Sequence, residues 1–190
     1  MIDKNQYPSV TRILAKTKPQ SDIDMLEKWR IKVGPIEADR ISNAALERGK
    51  MYDTFIEDYV NGIDIPHKKL QEYLKQFQIV SREENVYSNQ YLYKGRYDCI
   101  FAKNGILVLN DFKGSGKKKT KKWLKDYPLQ IAAYIKALEE VGVIINWGMI
   151  TVILDDEIQT FVYDHCEIET YFIEFLKRLK QYNDETNANI

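Results

Sequence analysis

Two aspartates and a lysine near the middle of the chain have the residue types of a metal-dependent hydrolytic site. Asp98 ends the segment GRYD, and Asp111 is followed two positions later by Lys113 in NDFKGS. Carboxylate oxygens suit Mg²⁺ and Mn²⁺, and Mg²⁺ is commonly held by one or two carboxylates together with waters and phosphate oxygens. A lysine beside such an ion would act on a negatively charged substrate.

An NG dipeptide at residues 104 and 105 determines how these acids meet. Asn-Gly is the strongest short hairpin signal, and it predicts a two-residue turn between antiparallel strands. In that register Asp98 lies directly opposite Asp111, and side chains alternate between the two faces of the hairpin. Four charged residues are then predicted to share one face: Arg96, Asp98, Asp111 and Lys113.

Opposed carboxylates repel each other, because cross-strand Cβ atoms lie only about 4.5 to 5.5 Å apart. A divalent cation would compensate for the repulsion. Alternatively, the acids are solvated and are neutralised by Arg96 and Lys113. The same face continues into apolar Ile100 and Leu109, so we expect it to be covered, and the acids border that covered region.

The basic segment GSGKKKTKKW follows at residues 114 to 123. Its glycines are too close together for a phosphate-binding P-loop. It is therefore either an ordinary solvated loop or, next to a metal site, a set of phosphate contacts. The candidate nucleic-acid contacts are Arg96, Ser115, Lys117, Lys118, Lys119, Lys121 and Lys122.

The composition limits the class of protein. The chain has 190 residues, enough for a single domain, and its 28 basic and 28 acidic residues give no net charge, so polyanion binding must come from local clustering. Cys99 and Cys166 are predicted to be packing residues in a reducing compartment. No apolar stretch reaches the length of a signal peptide or a membrane span. We expect a cytoplasmic protein without membrane contact.

Hydrophobic periodicity predicts an α/β or α+β arrangement. Helices are expected at about residues 21–33, with Ser21 as the N-cap, and at 36–59, 66–77, 128–140 and 167–182. Strands are expected within 84–113 and at 147–154 and 158–164. The domain divides into a helical part at about 1–80, a sheet core at 81–182 and a flexible polar tail at 183–190.

The fourth of these helices carries two further candidates, Gln130 and Tyr134. They stand four positions apart and share one helix face. A glutamine and a tyrosine at this spacing are usually boundary residues. They matter for function only if their face overlooks the acids of the hairpin.

This set of motifs resembles the PD-(D/E)xK nuclease superfamily and its RecB-like branch. Asp98, Asp111 and Lys113 match the core acids and lysine, and Gln130 with Tyr134 matches the Q-x₃-Y of that branch. The ordered segments YPSVTRIL, LEKWR, RGKMYDTFIE, GRYD, DFKGS and YPLQIAAY are still more similar to the mitochondrial genome maintenance exonuclease family. Without a recognisable transit peptide, we expect a bacterial or phage relative in the bacterial or phage-infected host cytoplasm.

The resemblance implies a restriction-endonuclease-like core, in which helices flank a mixed sheet. It also implies an N-terminal helical elaboration that admits a single strand of nucleic acid. It implies that Asp98, Asp111 and the backbone carbonyl of Phe112 hold Mg²⁺, for which Mn²⁺ would substitute. The family histidine is replaced here by Asp53, one helical turn before Glu57. Both are candidate metal ligands.

The implied activity is a metal-dependent DNA exonuclease on single strands, acting in replication, recombination or repair, alongside proteins of those pathways. In it Lys113 would orient the attacking water, and Gln130 with Tyr134 would position the nucleotide. Two alternatives are a structure-specific or double-strand nuclease of the same fold and a catalytically silent nucleic-acid-binding module.

Overall fold

The computed structural model describes residues 4–188. Its helices are α1 Val10–Lys16, α2 Gln20–Val33, α3 Pro35–Val60, α4 Lys68–Leu74, α5 Tyr127–Glu139 and α6 His165–Asn187. Its strands are β1 Gln78–Arg82, β2 Asn85–Ser88, β3 Tyr93–Arg96, β4 Cys99–Lys103, β5 Ile106–Gly114, β6 Trp147–Ile153 and β7 Ile158–Tyr163. Short 3₁₀ helices lie at Lys4–Gln6 and Lys121–Trp123.

Five strands form a mixed sheet in the order β1-β4-β5-β6-β7, and β2 pairs with β3 in a separate two-stranded sheet. Only the central pair β5–β6 is parallel among the neighbours in these described sheets. Helix α5 lies between β5 and β6 in the chain, as a parallel crossover requires. This mixed α/β architecture is the predicted fold class.

The turn at residues 104 and 105 has the predicted register. Lys103 pairs with Ile106, and the ladder between β4 and β5 continues to Cys99 and Asn110. Asn104 and Gly105 both have positive φ, at 52° and 78°, which is the backbone conformation that a two-residue hairpin turn demands. The prediction of the hairpin is confirmed.

Apolar side chains cover both faces of the five-stranded sheet. On one face Leu109 and Ile150 are buried with side chains of α1, α5 and α6. On the other, Phe101 and Met149 are buried with side chains of α3 and α4. The central strand β5 is therefore enclosed between two helical layers, and polar groups on it are withdrawn from water.

Arg178 of α6 ties together elements that are distant in the chain. Its guanidinium donates to the carbonyl oxygen of Leu14 and to Thr17 Oγ1, the latter at 2.6 Å. It also pairs with Asp126, just before α5, at 3.2 Å. The last helix thus fixes helix α1 and the start of helix α5.

Several predicted boundaries are wrong. Helix α2 begins at Gln20 with Pro19 as N-cap, so Ser21 lies inside it. Strand β1 and helix α1 were not predicted, and β1 overlaps the part expected to be helical.

The C-terminal tail also differs from the prediction. Helix α6 continues to Asn187, so residues 183 to 187 are helical instead of a flexible tail, while residues 189 and 190 lie outside the described part. Cys99 is buried as predicted, but Cys166 is exposed.

Candidate active site

Asp98 reaches β5 from the bend that precedes β4. The backbone between β3 and β4 is held by a hydrogen bond from Glu83 N to the Asp98 carbonyl oxygen, at 3.1 Å. The Asp98 carboxylate accepts a hydrogen bond from Phe112 N at 2.8 Å. Its charge therefore lies next to the backbone that follows Asp111.

The ladder itself ends one pair short of the two acids. Cys99 and Asn110 form the last β4–β5 pair, and Asp98 reaches β5 through its side chain. The predicted register holds as far as Cys99, but the predicted pairing of Asp98 directly opposite Asp111 lies beyond the ladder, and Asp98 comes close to Asp111 through its side chain. The extension of the register to Arg96 opposite Lys113 is wrong, because Arg96 pairs with Asn85 in the separate two-stranded sheet and Lys113 lies beside Val152 of β6.

Asp111 is almost completely buried, at 1% exposure, in the middle of β5. Its Oδ1 accepts a hydrogen bond from Gln130 Nε2 at 3.0 Å. Its Oδ2 lies 2.6 Å from Lys113 Nζ as an ion pair, but within residues 4–188 it has no hydrogen-bond partner of good geometry. One carboxylate oxygen is thus oriented by an amide, and the other retains coordinating capacity.

The charges around Asp111 oppose one another. Burial raises the pKa of Asp111 to about 7, repulsion from Asp98 and Asp53 adds to this increase, and the Lys113 ammonium acts against it. Burial disfavours the charged form of Lys113, but Asp111 and Asp98 outweigh it and raise the pKa of the ammonium. Lys113 therefore stays charged, while Asp111 needs a further positive charge to be fully ionised near neutral pH.

Lys113 is held at the border of a larger cavity. Its side chain is 25% exposed, and its ammonium lies 4.8 Å from the centre of the Tyr127 ring. An ammonium over an aromatic face is stabilised by the ring quadrupole. The cavity, of about 480 Å³, is bordered by Lys113, Tyr127, Asp53 and Gly114, so the amine faces a space that a substrate can enter.

Asp53 approaches the acids from helix α3, and Glu57 does not. Asp53 borders a small cavity of about 60 Å³ together with Asp98 and Phe112. Burial raises the pKa of Asp53, and Asp98 and Glu83 raise it further. Glu57 is exposed and borders neither this small cavity nor the larger one beside Lys113.

The donors present fit a hard divalent cation. Across residues 4–188, no three His, Cys, Asp or Glu side chains are gathered into a ready-made metal site. However, Asp98 and Asp111 repel each other, and the buried Asp111 Oδ2 has no well-aligned hydrogen-bond donor. Two carboxylates suffice for Mg²⁺ when waters and substrate oxygens complete its shell. The Phe112 carbonyl stays a predicted ligand; its amide already binds Asp98.

Helix α5 presents Gln130 and Tyr134 to the acids, and these two residues can have a role in the site only in this orientation. Gln130 orients Asp111 directly. Tyr134 is buried, and burial, followed by Asp111 and Asp98, raises the pKa of its hydroxyl. Its ring packs against Gly95, where an added Cβ would lie only 2.1 Å from Tyr134 Cε1, so glycine is needed at this position.

The lysine segment differs in detail from the prediction. Ser115 is buried, and its hydroxyl donates to the Lys117 carbonyl oxygen at 2.7 Å, so it shapes the loop from inside. Lys118 pairs with Glu157 at 2.5 Å, and Lys121 pairs with Glu167 at 2.8 Å. Within the described part of the chain no ion pair forms at three others: Lys117, Lys119 and Lys122.

Three basic or aromatic residues beside the acids or the glycine-rich loop that follows Lys113 were not predicted. The Arg48 guanidinium lies 3.2 to 3.3 Å from where a Cβ of Gly116 would stand, so it packs on the glycine-rich loop. Arg82 borders the small cavity with Asp53 and Asp98, and Tyr127 contacts Lys113. The spacing of Arg48 and Tyr52, which both pack on that loop, was a usable signal because residues four apart share a helix face.

Together, the mixed sheet and its flanking helices, with Asp111 and Lys113 on the central strand and Asp98 in the bend beside it, form a restriction-endonuclease-like fold. In agreement, the structure of a protein from Eubacterium rectale assigned as an exonuclease superimposes with a TM-score of 0.53 over 77% of this chain and 68% of that one, at 14% identity. No protein-family model matches the sequence.

Two sequence relatives are both named mitochondrial genome maintenance exonuclease 1. The Xenopus tropicalis protein is 31% identical over 171 residues, which is 78% of this chain and 49% of that protein. The Mus musculus protein is 27% identical over 97% of this chain and 61% of its own length. The chain thus spans about half to three fifths of these relatives, and the matches support a nuclease-family relationship.

Proposed function

We propose that the chain is a metal-dependent DNA exonuclease that hydrolyses phosphodiester bonds in single-stranded DNA during replication, recombination or repair. The observation that carries the proposal is the position of Asp111, buried between Gln130 and Lys113 and beside Asp98. The sequence relatives named as exonucleases support the reaction class.

Each residue of the site has a part in the proposed reaction. Asp98 and Asp111 would hold Mg²⁺, with Asp53 nearby on helix α3. When bound, the ion would polarise the scissile phosphate and favour ionisation of a water. Gln130 keeps the Asp111 carboxylate in one orientation, and Lys113 offers a fixed positive charge where negative charge develops on the phosphate.

The test uses single strands labelled at the 5′ or the 3′ end, incubated with Mg²⁺ or with a chelator. Wild-type protein should give stepwise products with Mg²⁺ and none with the chelator. Asp111→Ala and Lys113→Ala should each lose at least about 100-fold in rate, the typical cost of removing a group that stabilises the transition state. The ladder from one label gives the direction of digestion.

The matched control is Asp184→Ala, which removes an exposed acid of helix α6. It should cleave as the wild type does, and circular dichroism should show that all four proteins are folded. Cleavage that persists in the chelator, or a folded Asp111→Ala protein with wild-type activity, would contradict the proposal.

A further inference from the structure

A second cleft, distinct from the cavity beside Lys113, opens next to Asp98. It has a volume of about 430 Å³, within the range of small-ligand sites. It shares no lining residue with the Lys113 cavity, and the small cavity containing Asp53, Asp98 and Phe112 lies between the two. The acids therefore separate two spaces, each large enough for part of a nucleic-acid strand.

The wall of this cleft carries positive and hydroxyl groups. It is bordered by Ser9, Thr11, Asn85, Lys94 and Arg96. On the side of the proposed reaction centre it is bordered by Asp98, Gln130 and Tyr134. Two cations, two hydroxyls and an amide suit an oxyanion, since ionised donors make the stronger hydrogen bonds and a guanidinium matches phosphate geometry.

Two chain segments hold this wall in place. Ser9 pairs with Lys94 in an isolated parallel bridge, and Lys94 N donates to the Pro8 carbonyl oxygen at 3.0 Å. Ser9 Oγ and Thr11 Oγ1 lie 3.3 Å apart, which places the two hydroxyls side by side. The N-terminal segment that carries the hydroxyls and the strand β3 that carries the cations are thus fixed relative to each other.

The existing partner of Arg96 leaves room for exchange. Its guanidinium lies 3.4 Å from a Glu83 carboxylate oxygen, and its side chain is 64% exposed. An exposed ion pair of this length contributes little stability. A phosphate entering the cleft can therefore replace Glu83 as the partner of Arg96 at small cost.

We propose that this cleft binds the phosphate-bearing nucleotide on one side of the scissile bond, so that the protein grips a strand end by a phosphate other than the one it cleaves. This inference rests on the proposed nuclease function. A strand would then pass from the Lys113 cavity, across the acids, into the cleft bordered by Lys94 and Arg96. The ligand class is a nucleoside monophosphate, either free or at a strand end.

The test measures binding without cleavage. Thymidine 5′-monophosphate, thymidine 3′-monophosphate, thymidine and inorganic phosphate are titrated separately into the protein with a chelator present, by calorimetry or NMR. One of the two nucleotides should bind at least tenfold more tightly than thymidine or inorganic phosphate. Lys94→Met and Arg96→Met should each weaken that binding about tenfold, and Thr11→Val should weaken it severalfold.

Two substitutions on helix α6 serve as matched controls. Lys177 is exposed and paired with Glu174, and the exposed Thr170 bonds to its own helix backbone. Lys177→Met and Thr170→Val should bind the nucleotide as the wild type does. Because Thr11 is exposed, Thr11→Val keeps the test valid if Lys94→Met does not fold.

Equal binding of nucleotide, thymidine and phosphate by the wild type, or unchanged binding by the folded cleft variants, would overturn the inference. The outcome is separable from that of the proposed function, because no catalysis is involved. Specific nucleotide binding by a protein that cleaves no labelled strand would support the cleft and contradict the nuclease. Cleavage of labelled strands without specific nucleotide binding would support the nuclease and contradict the cleft.

Discussion

At Asp111, burial and the proposed function act against each other, because burial disfavours the ionised carboxylate that a metal ligand needs. The carboxyl group is enclosed between two helical layers and faces two other acids. A buried charge of this kind is costly unless it is paired. Gln130 donates to one oxygen, and Lys113 pairs with the other without a well-aligned hydrogen bond, which supports the proposal that a positively charged ligand binds here.

This arrangement predicts that Mg²⁺ binding releases a proton at about pH 6 and almost none at pH 8. Because the pKa of Asp111 is raised to about 7, the carboxyl is protonated below that pH, and a metal ion must displace the proton. Affinity should fall about tenfold for each pH unit below this pKa. Calorimetry in two buffers with different ionisation enthalpies counts the protons.

The same shift determines a contribution to stability in the absence of metal. Between its ordinary pKa of 3.8 and about 7, the folded protein retains a proton on Asp111 that the unfolded chain has lost. Stability from this residue is therefore present at low pH and declines as pH rises through that window.

The calorimetric measurement also has an outcome that contradicts the metal-binding prediction. If Mg²⁺ binding releases the same number of protons at pH 6 and at pH 8, Asp111 is not the ligand that we assign.

At the scale of elements, helix α5 and strand β3 meet where Tyr134 packs on Gly95. Gly95→Ala should destabilise the protein by about 1 to 3 kcal/mol, because the new methyl group overlaps the buried ring. It should also reduce cleavage by displacing Tyr134. Denaturant unfolding and the labelled-strand assay measure the two effects.

Two further variants test this packing. In a Tyr134→Ala background the penalty of Gly95→Ala should shrink, since contacting residues are energetically coupled. Gly49→Ala is the control, because an added Cβ there meets no atom within 4 Å inside helix α3. It should stabilise the protein by about 0.5 to 1 kcal/mol. Equal, additive penalties in both backgrounds would exclude the contact.

The sequence predicted those parts of the fold that local chemistry determines. The Asn104-Gly105 turn fixed the β4–β5 register, which brought Asp98 to Asp111. The predicted register is wrong at Arg96, because the chain bends before β4 and strand β3 pairs with β2. The alternation of side chains along a strand carries no information about that pairing. Strand β1, five residues with an irregularity between Ile79 and Ser81, has no clean alternation to detect.

The candidate site, like the fold, was predictable in part. Asp98, Asp111, Lys113, Gln130 and Tyr134 came from spacing and resemblance, and the structure brings these residues together. Arg82 borders the small cavity beside Asp98 and Arg48 packs on the loop after Lys113, both from elements that only tertiary packing places there. Glu57 shows the converse, because it shares a helix with Asp53 but does not border the small cavity that Asp53 shares with Asp98.

For the whole molecule, zero net charge means that the proposed affinity for DNA would depend on which cations are available. Lys118 and Lys121 are already paired with Glu157 and Glu167. Binding to phosphate must compete with those pairs. Their contribution to DNA affinity should therefore be smaller than that of the unpaired lysines of the same loop.

The matched prediction compares single substitutions to methionine within that loop. Changes at Lys117, Lys119 or Lys122 should weaken single-strand binding and reduce the slope of log affinity against log salt by about 0.7 each. Lys118→Met and Lys121→Met should change the slope less. Fluorescence anisotropy of a labelled oligonucleotide across a salt series, with a chelator present, provides the measurement. Equal slopes for all five variants would show that the ion pairs do not influence binding.

The connection made by Arg178 has a consequence for biosynthesis. Thr17 and Arg178 are 161 positions apart, so a nascent chain displays its first helix long before the residue that anchors it leaves the ribosome. Until then the Leu14 carbonyl oxygen and the Thr17 hydroxyl at the end of helix α1 lack this partner. Asp98 and Asp111 are translated well before Arg178, so in a nascent chain the residues of the proposed site can all be present while helices α1 and α6 are not yet joined.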